Sequence, residues 1–462
     1  MLIDEALVKE ALDTALSSGA DFAEVFVEDT LNNTLQLIDE KVDTVSSVFI
    51  SGIGIRAYLG LRSVSATSSD LSRDAVLAAA GNVASIIADG RRIAAEFRLC
   101  ERLNTNVHRI EVVPSSYPVK EKVEIARRMS AAARGYSNMI GQVTGTIQDV
   151  DRRILVANSE GLLTTDRQIR IRAACSAVAV KGAESQTGFD GPGRRMGMEF
   201  FDLVASPEDI GREAARQAVV NIEAGYMDSG VYPVAIENGF GGVIFHESCG
   251  HSLEATSVAY GTSEFCGRKG QLIANEKVTA IDDGTIPNAW GSINIDDEGT
   301  PTQRKVLIEK GVLRRYMVDR FNGRRMNEPS SGSARRQSYA YTPTSRMTNT
   351  FIAAGEDRNE DIIASIDRGL YCAKMGGGSV NPVTGEFNFA VTEAYMIEDG
   401  RITRAVRGAS LIGRGSEILH DIDMVGTDMR TGQGMCGSSS GSVPTDVGQP
   451  LIRVRKITVG GR

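Results

Sequence analysis

The stretch ASPEDIGREAARQAVVNIEAG, residues 205–225, separates two parts of the sequence that differ in pattern. Ser206 is a favourable N-cap residue and Pro207 suits the first helical position, so the stretch predicts a helix. Helical and strand patterns mix before it, whereas glycine clusters and short β-type runs dominate after it. We therefore predict an α+β protein, with a helix-plus-antiparallel-sheet region at residues 1–225 and a mainly β domain at residues 226–462.

The order of a helix followed by strands occurs twice in residues 1–225. Apolar residues recur at four-residue steps in residues 3–15, and a second helical stretch covers residues 119–137. Because the order repeats, this region could divide into two sub-lobes near residues 105–118. The glycine- and arginine-rich residues 185–197 are predicted to form a loop. Alternating patterns predict strands at residues 23–29, 33–39, 46–60 and 141–180.

Short β-type runs in the C-terminal part include residues 305–318 and 393–408. The second run contains Asp399-Gly400, a dipeptide typical of a two-residue hairpin turn. The acidic run at 296–298 precedes Gly299 and is predicted to be a solvated turn, with a role at a metal or a peptide amine as the alternative.

Length, charge and cysteine content exclude several classes of protein. At 462 residues the chain is long enough for two to four compact units. It carries 51 basic and 59 acidic side chains, a net charge of −8 that does not favour binding to nucleic acid. The most apolar stretch, residues 75–88, is interrupted by polar residues and is shorter than the ~20 residues that span a membrane. Six cysteines without a C-x-x-C pair suit a reducing compartment, and we predict the cytoplasm.

The motif with the strongest chemical content is HESCGH, residues 246–251, which holds two of the four histidines of the chain. Two neutral imidazoles, His246 and His251, can bind a transition metal, and Glu247 can then act as general base toward a metal-bound water. The alternative is a pair of helix histidines whose role is structural. A third protein ligand is needed for a hydrolytic site, and the candidates are Glu254, His420, Cys249 and Cys436.

The spacing of this motif predicts a distorted helix. Five residues of regular α-helix separate two side chains by about 140° in projection and ~7.5 Å along the axis. Both rings could not then bind one ion at ~2.0–2.1 Å. Gly250, directly before His251, permits a bend, so we predict a π-like bulge between His246 and His251. The mainly β C-terminal domain is thus expected to bear a distorted metal-binding helix.

Cys436 stands in a glycine-rich segment, residues 432–450, that we interpret as a loop. The glycines on either side of the thiol let the backbone approach closely. An isolated cysteine in a loop is usually inert, but its occurrence in a chain with a two-histidine motif favours Cys436 as the third ligand. Three arginines, at 335, 336 and 346, are interpreted as surface residues, with a contact to a carboxylate or a partner chain as the alternative. Trp290, the only tryptophan, is assigned to the core or an interface.

Several motifs together resemble those of the TldD/PmbA family. They are HESCGHSLEA, the segments at 281–313 and 335–355, and the loop around Met435-Cys436-Gly437 that ends in Gln449-Pro450. The resemblance covers almost the whole chain and is densest from about residue 235 onward. Where the family pattern continues as L-E-G-D, this chain has Leu253-Glu254-Ala255-Thr256, so Glu254 is assigned only a supporting position beside the ligands.

The resemblance implies a metallopeptidase of the TldD branch. It assigns His246, His251 and Cys436 as ligands of a single zinc ion and Glu247 as the catalytic residue. It also implies an unfolded peptide substrate and a heterodimer with a TldE/PmbA-type paralogue, with a homodimer as the alternative. Net charge and hydropathy, separately, predict no nucleic-acid partner and no membrane partner. The sister branch lacks the metal motif.

Two other functions remain open from the sequence. Cys436 could be a nucleophile with His246 or His251 as its base, as in cysteine peptidases. Alternatively, the chain could be a non-catalytic regulatory subunit in which a closed four-ligand site holds a structural metal. Binding of substrate as an added β-strand is a further expectation, with the glycine-rich residues 376–379 and 432–437 as candidate edges or plain turns.

Overall fold

The computed structural model describes residues 2–88, 97–381 and 384–461. No helix in these three ranges is both long and apolar enough to cross a membrane. The fold mixes helices and sheets, and the residues after 225 are mainly β, as predicted.

The N-terminal part contains one large sheet and the helices that cover it. The helices are α1 (Glu5–Leu16), α2 (Arg73–Ile87), α3 (Val119–Arg134), α4 (Phe200–Leu203) and α5 (Pro207–Glu223). The strands are β1 (Phe22–Ile38), β2 (Lys41–Leu59), β3 (Arg62–Ser68), β4 (Cys100–Glu101), β5 (Ile140–Asn158), β6 (Leu162–Lys181), β7 (Glu184–Asp190) and β8 (Gly193–Arg194). The order in the sheet is β3-β2-β1-β5-β6-β4, and β7 and β8 also pair with β6.

The helix at the boundary begins as the sequence predicts. Ser206 is its N-cap residue, and its hydroxyl accepts a hydrogen bond from the backbone N–H of Asp209 at 3.2 Å. Pro207 occupies the first turn, where the missing N–H costs nothing. The helix ends at Glu223, two residues before Gly225.

One prediction for this part is confirmed with a change, and one is wrong. Residues 23–29 and 33–38 are extended as predicted, but they belong to one strand, β1, because β2 and β5 pair with it along nearly its whole length. Residues 184–190 form strand β7 rather than a loop. A Cβ atom at Gly188 would lie 2.1 Å from the carbonyl oxygen of Ala214, so this glycine serves the close approach of the strand to α5.

The helices cover one face of the N-terminal sheet. Val25 and Val27 of β1 belong to a buried apolar cluster with residues of α1 and α2, while α3 and α5 pack against β5 and β6. Residues at alternate positions, such as Glu24 and Glu28, point to the other face, where the C-terminal part lies. The sheet is therefore a layer between its helices and the C-terminal part.

The C-terminal part contains short helices and the remaining strands. The helices are α6 (Val243–Phe245), α7 (Ala255–Val258), α8 (Arg320–Met326), α9 (Asn359–Ala364) and α10 (Gly415–Asp421). The strands are β9 (Gly225–Tyr226), β10 (Gly230–Ile236), β11 (Ala280–Asp283), β12 (Arg304–Glu309), β13 (Val312–Leu313), β14 (Ala334–Arg335), β15 (Thr344–Ser345), β16 (Asn349–Ile352), β17 (Arg368–Val380), β18 (Glu386–Glu398), β19 (Arg401–Arg407), β20 (Ser410–Arg414), β21 (Ile422–Val425), β22 (Arg430–Ser438), β23 (Gly441–Gln449) and β24 (Ile452–Gly460).

Two sheets and a large apolar core organise these strands. One sheet has the order β17-β10-β24-β20-β18-β19-β9, with β21 on β24, and the other has the order β13-β12-β11-β16-β23-β22. The predicted hairpin between β18 and β19 is confirmed, because Asp399 and Gly400 have φ angles of 50° and 70°. Strand β22, which carries Cys436, lies at the edge of its sheet.

Candidate metal centre

The HESCGH motif lies on one distorted helical segment. Helix α6 leads into a turn of π-helix, His246–Gly250, which is followed by a 3₁₀ turn, His251–Leu253. The backbone N–H of His251 donates to the carbonyl of His246, five residues earlier. The predicted distortion is confirmed. It brings the two imidazole rings to a centroid distance of 5.0 Å, nearly perpendicular at 81°.

Close packing around the motif explains why this turn contains a small residue. A Cβ atom at Gly250 would lie 2.4 Å from the sulfur of Met347. On the other side, a Cβ atom at Gly415, the first residue of α10, would lie 1.9 Å from the carbonyl oxygen of Ser248. Ser248 and Cys249 are fully buried. The π turn is therefore held between two neighbouring segments with no room for larger side chains.

Cys436 lies on a strand, not in the loop that the sequence suggested. It pairs with Val443 in the β22–β23 hairpin. The glycines in β22 permit close packing instead, since a Cβ atom at Gly432 would lie 2.8 Å from the Cβ of Phe240. The glycine-rich residues 376–379 also belong to a strand, β17, rather than to a plain turn.

The hairpin brings the thiol of Cys436 to both imidazoles. Its Sγ lies 3.2 Å from Nε2 of His246 and 3.3 Å from Nε2 of His251. One ligand atom from each of these three side chains lies within 4.8 Å of the others. In the part of the chain that the structure describes, this is the group of His, Cys, Asp and Glu side chains arranged to hold a metal ion. Cys249 and His420 do not belong to it.

The electrostatics of the group favour a thiolate. Burial raises the pKa of the Cys436 thiol, but His246 and His251 outweigh burial, so the pKa lies well below its usual value. Burial lowers the pKa of His251, but Glu254 and Cys436 outweigh it and hold the pKa well above its usual value. A thiolate is the form of cysteine that binds metals.

Glu254 and Arg346 contact the residues that carry the three candidate ligand atoms. Oε2 of Glu254 lies 3.1 Å from Nδ1 of His251, and its other oxygen lies 4.0 Å from Nε of Arg346. Arg346 also donates to the backbone carbonyls of Cys436 and Gly441. The guanidinium thus connects the hairpin that carries the thiol with the carboxylate beside His251.

Glu247 lies at the open side of the group. Its Oε2 is 3.8 Å from Nε2 of His251, and its side chain is 24% exposed to solvent. Cys436, by contrast, is only 6% exposed. A carboxylate at this position can reach a molecule that approaches from solvent, whereas the sulfur faces inward.

Two sequence-based interpretations of charged residues are wrong. Arg335, Arg336 and Arg346 are buried, not on the surface. The run at 296–298 is also buried, because its carboxylates accept hydrogen bonds from the surrounding chain or form ion pairs with it. Glu298 pairs with Arg56 of β2 and Asp297 with Arg152 of β5, so the run joins the two parts of the molecule. Trp290 is buried as predicted, 6% exposed.

Sequence comparison identifies the family along most of the chain. Residues 23–87 match the model described as PmbA/TldA metallopeptidase domain 1, residues 113–222 match the central domain, and residues 229–461 match the C-terminal domain. A protein of Buchnera aphidicola named Metalloprotease TldD homolog is 33% identical to this chain. The match covers 98% of this chain and 95% of the length of that protein. A protein of Haemophilus influenzae with the same name is 34% identical, covering 96% and 93%.

Solved structures share the fold. TldE from Thermococcus kodakarensis superposes with a TM-score of 0.76 at 20% identity, over 99% of both chains. A protein of Thermotoga maritima, described as a candidate modulator of a DNA gyrase, superposes with a TM-score of 0.78 at 20% identity, over 99% of this chain and all of that one. On the sequence matches, the chain belongs to the PmbA/TldD metallopeptidase family, among relatives named TldD homologues.

Proposed function

We propose that this protein is a zinc-dependent peptidase in which His246, His251 and Cys436 bind the metal and Glu247 is the catalytic residue. The observation that carries the proposal is the convergence of two imidazoles and one thiol, from segments 185 residues apart in sequence, beside a partly exposed glutamate. We further propose residues 226–462 as the metallopeptidase domain and residues 1–225 as the N-terminal α+β region.

The donor set fits a zinc ion. Zinc prefers tetrahedral sites of cysteine and histidine, and ligands at ~2.3 and ~2.0 Å would place sulfur and nitrogen about 3.5 Å apart. The sulfur-to-nitrogen distances of 3.2 and 3.3 Å require only a small expansion. Three protein ligands leave one position free, as catalytic zinc sites require. When bound, zinc acts as a Lewis acid and lowers the pKa of a water molecule.

The residues of the chain supply the remaining steps. Glu247 would take the proton from the attacking water and pass it to the leaving amine of the peptide. Glu254 would hold the Nδ1 proton of His251, which leaves the Nε2 lone pair for the metal. Arg346 would fix the backbone of Cys436 and so the direction of its sulfur.

A cysteine nucleophile is the second candidate, because the Cys436 thiol has a lowered pKa and contacts two imidazoles. Its 6% exposure leaves little access for a substrate carbonyl. The two chemistries respond oppositely to inhibitors. For a zinc peptidase we expect a chelator to abolish peptide cleavage and added zinc to restore it. Inactivation by an alkylating agent with no effect of the chelator would favour the cysteine nucleophile instead.

Replacing Glu247 with Gln tests the catalytic proposal against a structural metal. We expect E247Q to keep its metal content and lose peptide cleavage by at least about 100-fold, the effect of removing a general base. Glu276→Gln, at an exposed position outside the site, is the matched control. Unchanged cleavage in E247Q would exclude Glu247 as the catalytic residue. The absence of cleavage in the wild type with zinc bound would instead support a non-catalytic regulatory subunit.

We also propose an unfolded or short peptide as substrate and a TldE-type paralogue as partner, with a homodimer as the alternative. The partner is suggested by the fold shared with TldE from Thermococcus kodakarensis. Size-exclusion chromatography of the chain alone and with a co-expressed paralogue from the same genome distinguishes these assemblies. A thiolate ligand also needs a reducing compartment, and we propose the cytoplasm.

A further inference from the structure

A polar cavity of about 390 Å³ lies between the N-terminal sheet and the hairpin that carries Cys436. Its volume falls in the range of about 300–1,000 Å³ that is typical of ligand sites. Met435, Val443 and Pro444 form its wall on the hairpin side. Met435 and Cys436 are consecutive residues of β22, so their side chains leave opposite faces of that strand. The cavity therefore adjoins the hairpin that carries the thiol, with Met435 next to Cys436 in the chain and Val443 paired with it.

The opposite wall is a polar face of the N-terminal sheet. Aligned positions of β1, β5 and β6 form three rows across this face, and every member lines the cavity. The rows are Thr30-Arg152-Gln168, Asn32-Val150-Arg170 and Thr34-Gln148-Arg172. Sheet faces that pack against another layer are normally apolar, so eight polar side chains in nine positions need a different explanation.

The charge in the cavity is positive. Five arginines and three carboxylates line it, and each carboxylate already has a basic partner: Glu28 and Asp297 pair with Arg152, and Asp149 pairs with Lys122. Arg170, Arg172 and Arg335 have no ion pair within 4.0 Å among the described residues, and their hydrogen bonds go to neutral acceptors.

Two of these guanidinium groups are deeply buried. Arg170 and Arg335 are 3% and 4% exposed, and Arg335 makes hydrogen bonds only through Nη1 within the part of the chain described. Burial, and after it the neighbouring arginines, lowers the pKa of Arg170 well below its usual value. Burial lowers the pKa of Arg335 to about 10. An anion in the cavity would relieve this cost.

The uncharged side chains in the cavity favour a peptide over a free inorganic anion. Asn32 and Gln148 line it, and their side chains make no hydrogen bond among the described residues. A carboxamide offers both a donor and an acceptor, which matches a backbone peptide group. A planar guanidinium in turn matches a carboxylate through two parallel hydrogen bonds. Gln148 and Met435 are exposed, so the cavity opens to solvent at that end.

We propose that this cavity binds a carboxylate of the peptide substrate, so that peptides with an acidic group near the cleaved bond are preferred. The inference rests on the proposed peptidase function, but it concerns binding and can be tested without turnover. The carboxylate could belong to an Asp or Glu side chain or to the C-terminus of the peptide, and the experiment separates these sources.

The test measures binding of fluorescent hexapeptides to the zinc-loaded E247Q chain. Three peptides share one neutral sequence: one has a central Glu and an amidated C-terminus, one has Gln in its place, and one has Gln and a free C-terminal carboxylate. We expect one of the carboxylate peptides to bind about tenfold more tightly than the neutral peptide, the effect of a charge-assisted bidentate pair. Which of the two binds more tightly identifies the source.

Variants of the cavity connect the preference to its residues. Arg172→Gln should bring the ratio of the dissociation constants of the neutral peptide and the preferred carboxylate peptide to near one. Arg172 is half-buried and its Nε donates only to the carbonyl oxygen of Gly191, so the rest of its guanidinium can bind the carboxylate. Asn32→Asp, nearly isosteric, should do the same by adding a negative charge. Arg167→Gln is the matched control, since Arg167 lies on the same strand and pairs with Asp151 instead of lining the cavity.

Equal binding of the three peptides, or no measurable binding of any, would overturn the inference. A preference that survives both R172Q and N32D in folded protein would also overturn it. A wild-type chain that binds acidic peptides selectively but cleaves none would instead contradict the peptidase proposal and leave the cavity assignment standing.

Discussion

Oε2 of Glu254 lies 3.1 Å from Nδ1 of His251, on the side of the ring opposite the thiol of Cys436. A carboxylate at this position accepts the Nδ1 proton and orients the ring so that Nε2 faces the sulfur and any shared metal ion. The contact joins residues three positions apart, and it forms because the 3₁₀ turn at His251–Leu253 turns the chain back.

Replacing Glu254 with Gln should weaken metal binding without abolishing it. Loss of a carboxylate that orients a ligating histidine typically reduces metal affinity about 10- to 100-fold. Competition with a chromogenic chelator measures the change in the dissociation constant for zinc. The exposed Glu276→Gln serves as the control. An unchanged affinity in E254Q would mean that the carboxylate has no part in holding His251.

Two glycines near the motif should differ in their tolerance of alanine. At Gly250 the new methyl group would meet the flexible side chain of Met347, which can move at a cost of about 1–3 kcal/mol. At Gly415 it would meet the backbone carbonyl of Ser248 at 1.9 Å, which cannot move without displacing the π turn. We therefore expect G415A to lose more unfolding free energy and more bound metal than G250A. Urea denaturation and metal analysis of both variants check the order, and the reverse order would contradict this packing.

Glu298 should make the stability of the protein decrease as pH rises through neutrality. Burial, the largest effect, raises its pKa from 4.5 to about 7, although Arg56 opposes the shift. The folded state therefore binds the proton more tightly than the unfolded state. The contribution is fully present below pH ~4.5 and is lost as pH rises toward ~7.

The variant Glu298→Gln should remove this dependence, because Gln resembles the protonated acid. Between pH 5 and pH 8 we expect the wild type to lose roughly 1–3 kcal/mol of unfolding free energy relative to E298Q. Urea denaturation across this range measures the difference. Glu160→Gln is the control, since Glu160 also pairs with an arginine but is exposed. A difference that stays constant with pH would show that Glu298 remains ionised.

The local patterns of the sequence predicted the elements, but not their environment. The cap at Ser206, the hairpin at Asp399-Gly400 and the distortion before His251 depend on neighbouring residues, and all three are present. The burial of Arg346 and of the 296–298 run depends on partners at least 90 residues away in the sequence. Periodicity contains no information about such contacts.

The candidate ligands show the same limit. The spacing of His246 and His251 indicated a shared site, whereas Cys436 was one of four candidate third ligands, favoured by the two-histidine motif and assigned only by the family resemblance. Its glycine-rich surroundings suggested a loop, because glycine is rare in regular strands. Here the glycines of β22 allow an edge strand to pack against Phe240, a reason that only the tertiary structure reveals.

Zinc K-edge X-ray absorption of the purified wild-type chain reports directly on the ligands of the metal. We expect a single zinc ion with one sulfur ligand at ~2.3 Å, two imidazole nitrogens at ~2.0–2.1 Å and one further light atom from solvent. The sulfur contribution should disappear in Cys436→Ser. A zinc shell without sulfur, a second sulfur that fills the fourth position, or a chain that binds no zinc would contradict the proposed ligand set.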